Sequence, residues 1–74
     1  MLLTVKLFAT FRQGRFDVAQ LELKDGTTVG NIVDEIGIPR GAIGILMVCG
    51  RHAELDHRPA PGDVVSIFPL VGGG

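Results

Sequence analysis

At 74 residues and a formal net charge of −1, the chain is one small domain with balanced charge, which argues against nucleic acid or an anionic membrane as its main partner. It is 46% hydrophobic, too apolar for a disordered linker, yet its longest apolar run, Ile43 to Cys49, is far too short to span a bilayer. A single cysteine, Cys49, excludes an internal disulfide and points to a cytoplasmic protein.

The opening stretch MLLTVKLFATFR lacks the basic n-region and small-residue cleavage site of a signal peptide. It alternates with period two over Leu3 to Phe8, which predicts a strand. Leu3, Val5 and Leu7 share one face; Thr4, Lys6 and Phe8 share the other. Arg12-Gln-Gly-Arg15 reads as a turn. A second strand is expected over Phe16 to Leu23, with Ala19, Leu21 and Leu23 opposite in face to Val18, Gln20 and Glu22. The two form an antiparallel hairpin, and Asp25-Gly26 marks the next turn.

Val29, Ile32, Val33 and Ile36 recur at helical spacing and line one face. Thr27 or Thr28 caps this helix, Gly37 suits its left-handed end, and Pro39 prevents continuation. Gly30 costs about 1 kcal/mol against alanine in a helix interior. The run Ile43 to Cys49 reads as a strand covered on both faces, or nearly so. Gly50 turns the chain into a short edge strand over His52 to Leu55, and Arg58 to Asp63 is a proline-bearing loop. The last strand is Val64 to Phe68, with Val65 and Ile67 facing one way and Val64, Ser66 and Phe68 the other.

One helix with one apolar stripe and strands with one apolar parity pack as an α+β layer pair, the helix lying across a mixed sheet of four to five strands. With the first and last strands side by side in the centre, this is the β-grasp, ubiquitin-like arrangement. The expected domain covers residues 1–71, and residues 72–74 form a flexible tail.

Two features do not serve folding. Phe8 and Phe68 fall on the parity that the helix leaves open, and neighbouring strands bring their rings together there. An exposed apolar cluster with a polar rim marks an interface. The chain then ends in Gly72-Gly73-Gly74, residues that lose the most backbone freedom on ordering and offer nothing to bury. Pro69 is expected to lead the chain out of the sheet, Leu70 and Val71 lie just outside the fold, and three glycines reach about 10 Å further. A bare tail of that length suits threading a carboxylate into another protein's active site. The carboxylate is poorly reactive until activated, for example by an adenylyl group from ATP.

Phe68-Pro69-Leu70-Val71-Gly-Gly, the opening Val5-Lys-Leu-Phe8-Ala-Thr-Phe-Arg12, Thr28-Val29 and Gly62-Asp63-Val64 together resemble the ubiquitin-like sulfur carriers over nearly the whole chain. That family includes the small subunit of molybdopterin synthase, which the phenylalanine-proline ending resembles more, and the thiamine sulfur carrier. The resemblance implies a carrier without an active site of its own. An E1-like enzyme, using ATP and magnesium, adenylates the terminal glycine. A desulfurase or rhodanese-type donor then converts it to a thiocarboxylate, which passes sulfur to a precursor on the large subunit of molybdopterin synthase or on thiazole synthase. Gly74 is the reacting terminus, or Gly73 if Gly74 is trimmed. Phe8, Arg12, Phe68, Pro69, Leu70 and Val71 are the implied partner contacts. Three positions depart from the family: it ends in two glycines rather than three, commonly has Asn where Cys49 stands, and has an apolar contact residue where His52 stands. A ubiquitin-like modifier joined through Gly74 to lysines, or a plain interaction module with an inert tail, is the alternative from another class. Cys49-x-x-His52 with His57 falls short of the four ligands that zinc sites want, so no bound metal is expected.

Overall fold

The computed structural model describes residues 1–71, so Gly72, Gly73 and Gly74 and the expected tail boundary lie outside the described residues. Five strands are present: β1 (Leu2–Leu7), β2 (Val18–Glu22), β3 (Ile43–Val48), β4 (Arg51–His52) and β5 (Val64–Pro69). One helix, α1 (Val29–Ile36), and two 3-10 turns, Ala9–Arg12 and Arg40–Ala42, complete the described elements. The sheet order is β2-β1-β5-β3-β4. β1 and β5 are parallel neighbours at the centre, and the other pairs are antiparallel. This is the β-grasp, with α1 on one face of a mixed sheet.

Strand parity decides what is buried. Leu3, Val5 and Leu7 of β1 and Val65 and Ile67 of β5 meet Val29, Ile32 and Val33 of α1, and all eight are fully buried. Each such side chain contributes about 1.5–3 kcal/mol relative to exposure. Among the described residues no layer covers the opposite parity. No helix among the described residues is long and apolar enough to cross a membrane.

The ends of α1 are fixed by short-range chemistry. Asn31 N donates to Thr28 Oγ1 at 3.1 Å, and Thr28 N donates to Asn31 Oδ1 at 3.3 Å, a reciprocal cap that satisfies two otherwise unpaired donors. Gly37 closes the helix in the left-handed conformation, φ 88°. Arg15, 22 residues away, donates to the Gly37 carbonyl at 3.1 Å and adds a cation where the helix dipole is negative. Gly30 has a packing reason that offsets its low helix propensity. Its N–H donates to Leu55 O at 2.8 Å, and a Cβ there would come within 2.8 Å of the Arg40 guanidinium and 3.1 Å of that same oxygen.

Several expected boundaries shift. The expected turn at 12–15 is preceded by the 3-10 turn Ala9–Arg12, which turns Phe11 into the core. β2 is shorter than 16–23. The edge strand is Arg51–His52 rather than 52–55; Ala53, which is buried, still donates its N–H to Leu46 O as the last bond of this pairing. β3 is not covered on both faces: Gly44 and Ile45 are exposed, since α1 serves one side of the sheet alone.

The β3–β4 hairpin turns on two residues with positive φ, Cys49 at 51° and Gly50 at 77°. That is the type I′ pattern, which favours Asn-Gly. A cysteine in the left-handed region is strained by about 1 kcal/mol, whereas asparagine tolerates it. Cys49→Asn is therefore expected to raise Tm by roughly 4–8 °C. Thermal unfolding checks this, and a lowered Tm would show that the thiol makes a stabilising contact which asparagine lacks.

Candidate functional site

The open face carries its apolar side chains at one end. β5 lies parallel to β1 with Leu7 beside Ile67, and Phe8 continues that ladder one residue beyond β1 by donating its N–H to Ile67 O at 3.2 Å. Phe8 therefore comes beside Phe68. The rings stack face to face, centroids 4.1 Å apart and planes 5° from parallel. Each is half-buried, by the other ring rather than by the core.

Immediately after Phe8 the chain reverses through Ala9, whose φ of 52° turns it sharply into the 3-10 turn. That turn delivers Arg12 to the stack. Its guanidinium carbon sits 5.4 Å from the Phe8 ring centroid, within cation–π range. Nε donates to Leu7 O at 2.7 Å and lies 3.7 Å from Asp17 Oδ1, so the cation is oriented by the strand end.

β3 supplies the third apolar member. Ile45 is paired opposite Phe68 and is 44% exposed, large for an isoleucine in a strand. The register is irregular between Ile43 and Ile45, and Gly44 is the reason. A Cβ on Gly44 would come 2.7 Å from Pro69 O and 3.0 Å from Leu70 Cα, so glycine alone lets the end of β5 lie this close.

Pro69 does not take the chain out of the sheet, contrary to expectation. It is the last residue of β5, opposite Ile43, and Leu70 N still donates to Ala42 O at 2.9 Å. Proline at a strand end lacks a donor but keeps its acceptor and its extended φ, so the ladder survives one residue longer. Leu70 is 60% exposed and Val71 93% exposed. The result is an apolar groove of about 400 Å³ lined by Phe8, Ile45, Phe68, Pro69, Leu70 and Val71. Among the described residues the groove offers apolar area, one oriented cation and the chain segment leading to Gly72.

The structure thus brings together all six contact residues that the sequence singles out in residues 1–71. Sequence reasoning missed Ile45, hidden because β3 is apolar at both parities, and Ala9, whose role lies in its backbone angle. Gly72, Gly73 and Gly74 lie outside the described residues. His52 is paired with Met47 in register and is exposed. No cluster of three or more His, Cys, Asp or Glu able to hold a metal occurs among the described residues.

Comparison with known proteins places this geometry. Residues 5–72 match the family described as Mut7-C ubiquitin. A putative molybdopterin converting factor subunit 1 from Pyrococcus furiosus is 31% identical, with 96% of this chain and 99% of that one covered and a TM-score of 0.76. Small archaeal modifier protein 1 from Haloferax volcanii superposes over 100% of both chains at 22% identity and a TM-score of 0.77. A chain of the complex of subunits 1 and 2 of the molybdopterin-converting factor from Helicobacter pylori superposes over 100% of both at 20% identity and a TM-score of 0.68. At those last two identities the likeness is one of fold. No curated protein sequence matches the chain.

Proposed function

The chain belongs to the Mut7-C ubiquitin family, among the ubiquitin-like sulfur carriers, and on that premise we propose that it carries sulfur as a thiocarboxylate on its terminal glycine for molybdopterin synthesis. One observation carries the reading. The stacked Phe8–Phe68 pair sits in an exposed apolar groove whose lining continues through Leu70 and Val71 to the glycine run of the sequence. Three glycines let the terminal carboxyl group reach at most about 10 Å beyond Val71, toward a partner that grips this surface.

The chemistry is supplied by partners. On an E1-like enzyme, the Gly74 carboxylate (Gly73 if the tail is trimmed) attacks the α-phosphorus of ATP. Pyrophosphate leaves, and magnesium is held by that enzyme. The outer sulfur of a persulfide on a desulfurase or rhodanese-type donor displaces AMP to give an acyl disulfide, and a second thiol of the donor then cleaves that S–S bond, releasing the thiocarboxylate and leaving the donor as a disulfide. On a large subunit the thiocarboxylate gives its sulfur to the pterin precursor, and water restores the carboxylate. The Pyrococcus furiosus relative, named a putative molybdopterin converting factor subunit 1, and the two-subunit Helicobacter pylori complex support this acceptor and a large-subunit partner. Thiazole formation for thiamine is the rival within the same chemistry. This chain's own part is to dock, to orient the tail and to keep it free of side chains.

A second reading is a ubiquitin-like modifier joined by Gly74 to lysines, which the superposition on small archaeal modifier protein 1 favours. Both readings require the tail. A chain shortened by residues 72–74 and returned to a host lacking the gene is expected to leave pterin-cofactor enzymes inactive. Restored activity would contradict the carrier reading. Loss of lysine-linked conjugates with pterin enzymes intact would favour the modifier.

A further inference from the structure

The backbone is held one residue further than β5 itself. Pro69 pairs with Ile43, and Leu70, beyond the strand, donates its N–H to Ala42 O at 2.9 Å. Val71 is almost fully exposed and makes no backbone hydrogen bond among the described residues. The change from held to unheld backbone thus falls between Leu70 and Val71, immediately before the glycine run of the sequence.

The acceptor is itself anchored. Ala42 closes the 3-10 turn Arg40–Ala42, donates its N–H to Pro39 O at 3.0 Å, and packs partly buried against the core. Arg40, at the head of that turn, donates to both carboxylate oxygens of Asp34 on α1, at 3.0 and 2.9 Å. Ile38 N donates to Val33 O at 2.9 Å and ties the start of the connection to the helix end. The carbonyl that receives Leu70 is therefore fixed to α1.

Gly44 completes the arrangement. A Cβ there would meet Pro69 O at 2.7 Å, and Pro69 C and Leu70 Cα each at 3.0 Å. All three are backbone atoms, which cannot swing aside as the end of a side chain does. Gly44 is not among the glycines with positive φ, so close approach rather than a turn is what glycine serves here. Glycine inside a strand weakens it, so β3 gives up pairing strength at the place where Leu70 is brought in.

We infer that Gly44 and Ala42 form a backbone clamp that positions the root of the tail for activation of the terminal carboxyl group, an inference that rests on the reading of that terminus as the substrate of an E1-like partner. Docking and aiming are then separate tasks. The Phe8–Phe68 stack supplies contact area, and the clamp sets where and in which direction the chain leaves it. With Leu70 held, a partner has only the residues after it to order. Each further residue released lowers the fraction of docked chains with a correctly placed carboxyl group by about ten-fold. Gly44 and Ala42 act through Leu70, so they are positioning residues.

The test has two readouts on the full chain. Amide exchange in the free protein reads the clamp. Leu70 is expected to exchange at least about ten-fold more slowly than Val71, and Gly44→Ala to remove that difference while the amides of β1 and α1 stay protected. ATP–pyrophosphate exchange by the E1-like enzyme, with the chain as varied substrate, reads aiming. Gly44→Ala is expected to lower kcat about ten-fold and to leave KM within about two-fold. Leu70→Pro, which removes the donor and leaves Gly44 in place, is expected to lower kcat similarly, and it carries the test if Gly44→Ala does not fold. The clamp is overturned if Leu70 exchanges as fast as Val71 in the native chain, or if kcat is unchanged in both variants. It is also overturned if Gly44→Ala raises KM at native kcat, which would make Gly44 part of the docking surface alone. No pyrophosphate incorporation with the native chain would overturn the reading of the terminus and with it this role, while protection of Leu70 separately shows whether the clamp exists.

Discussion

Phe68→Ser is expected to weaken binding to the proposed E1-like partner by roughly 100-fold while the chain stays folded. The ring lies on the face that α1 does not cover, half-buried against Phe8 rather than against the core. Truncating it removes the stacking, worth about 0.5–1.5 kcal/mol within the fold, and the centre of the apolar groove. Central aromatic residues of an apolar patch are where interface energy concentrates, about 2–4 kcal/mol each. The measurement is titration calorimetry with that enzyme, with thermal unfolding as control. Unchanged affinity in a folded variant would show that the stack is not the docking surface.

Leu7→Ala is expected to do the reverse. Leu7 is the immediate neighbour of Phe8 but points to α1 and is fully buried. Removing a buried leucine side chain costs about 2.7–5 kcal/mol, and a domain of this size has only about 3–5 kcal/mol of net stability. A large fraction of the variant, about half or more, should be unfolded at 25 °C, as seen by circular dichroism and urea titration. The folded remainder should bind partners normally, because the open face is untouched. A Leu7→Ala chain with nearly native stability would mean that alternate residues of β1 do not divide core from interface.

That division is also why the stack was legible in the sequence. β1 and β5 alternate cleanly, so Phe8 and Phe68 stand out on the wrong parity in the sequence itself. α1 was equally plain, because Thr28, Gly37 and Pro39 are local signals acting within one turn of the helix. β3 was not legible in the same way. Ile43, Ile45, Leu46, Met47 and Val48 are apolar at both parities, which hides that Ile45 belongs to the open face while Leu46 and Val48 belong to the core. The continuation of β5 through Pro69 depends on Gly44 in a strand met 25 positions earlier. Arg15 reaching Gly37, and Ala9 turning with positive φ, are likewise products of tertiary placement. Local pattern carries what is decided within a few residues; these contacts are decided across the sheet.

The central claim is that the carboxyl group of the last glycine exchanges oxygen for sulfur. Intact-mass analysis of the chain purified from its native cell, with fragmentation to locate the change, measures this directly. The expected result is a species heavier by about 16 Da, confined to the C-terminal glycine and lost after incubation with the pterin precursor and large subunit. A chain of unmodified mass under conditions of active cofactor synthesis, or the same increment placed on Met1, Met47 or Cys49 by oxidation, would contradict it.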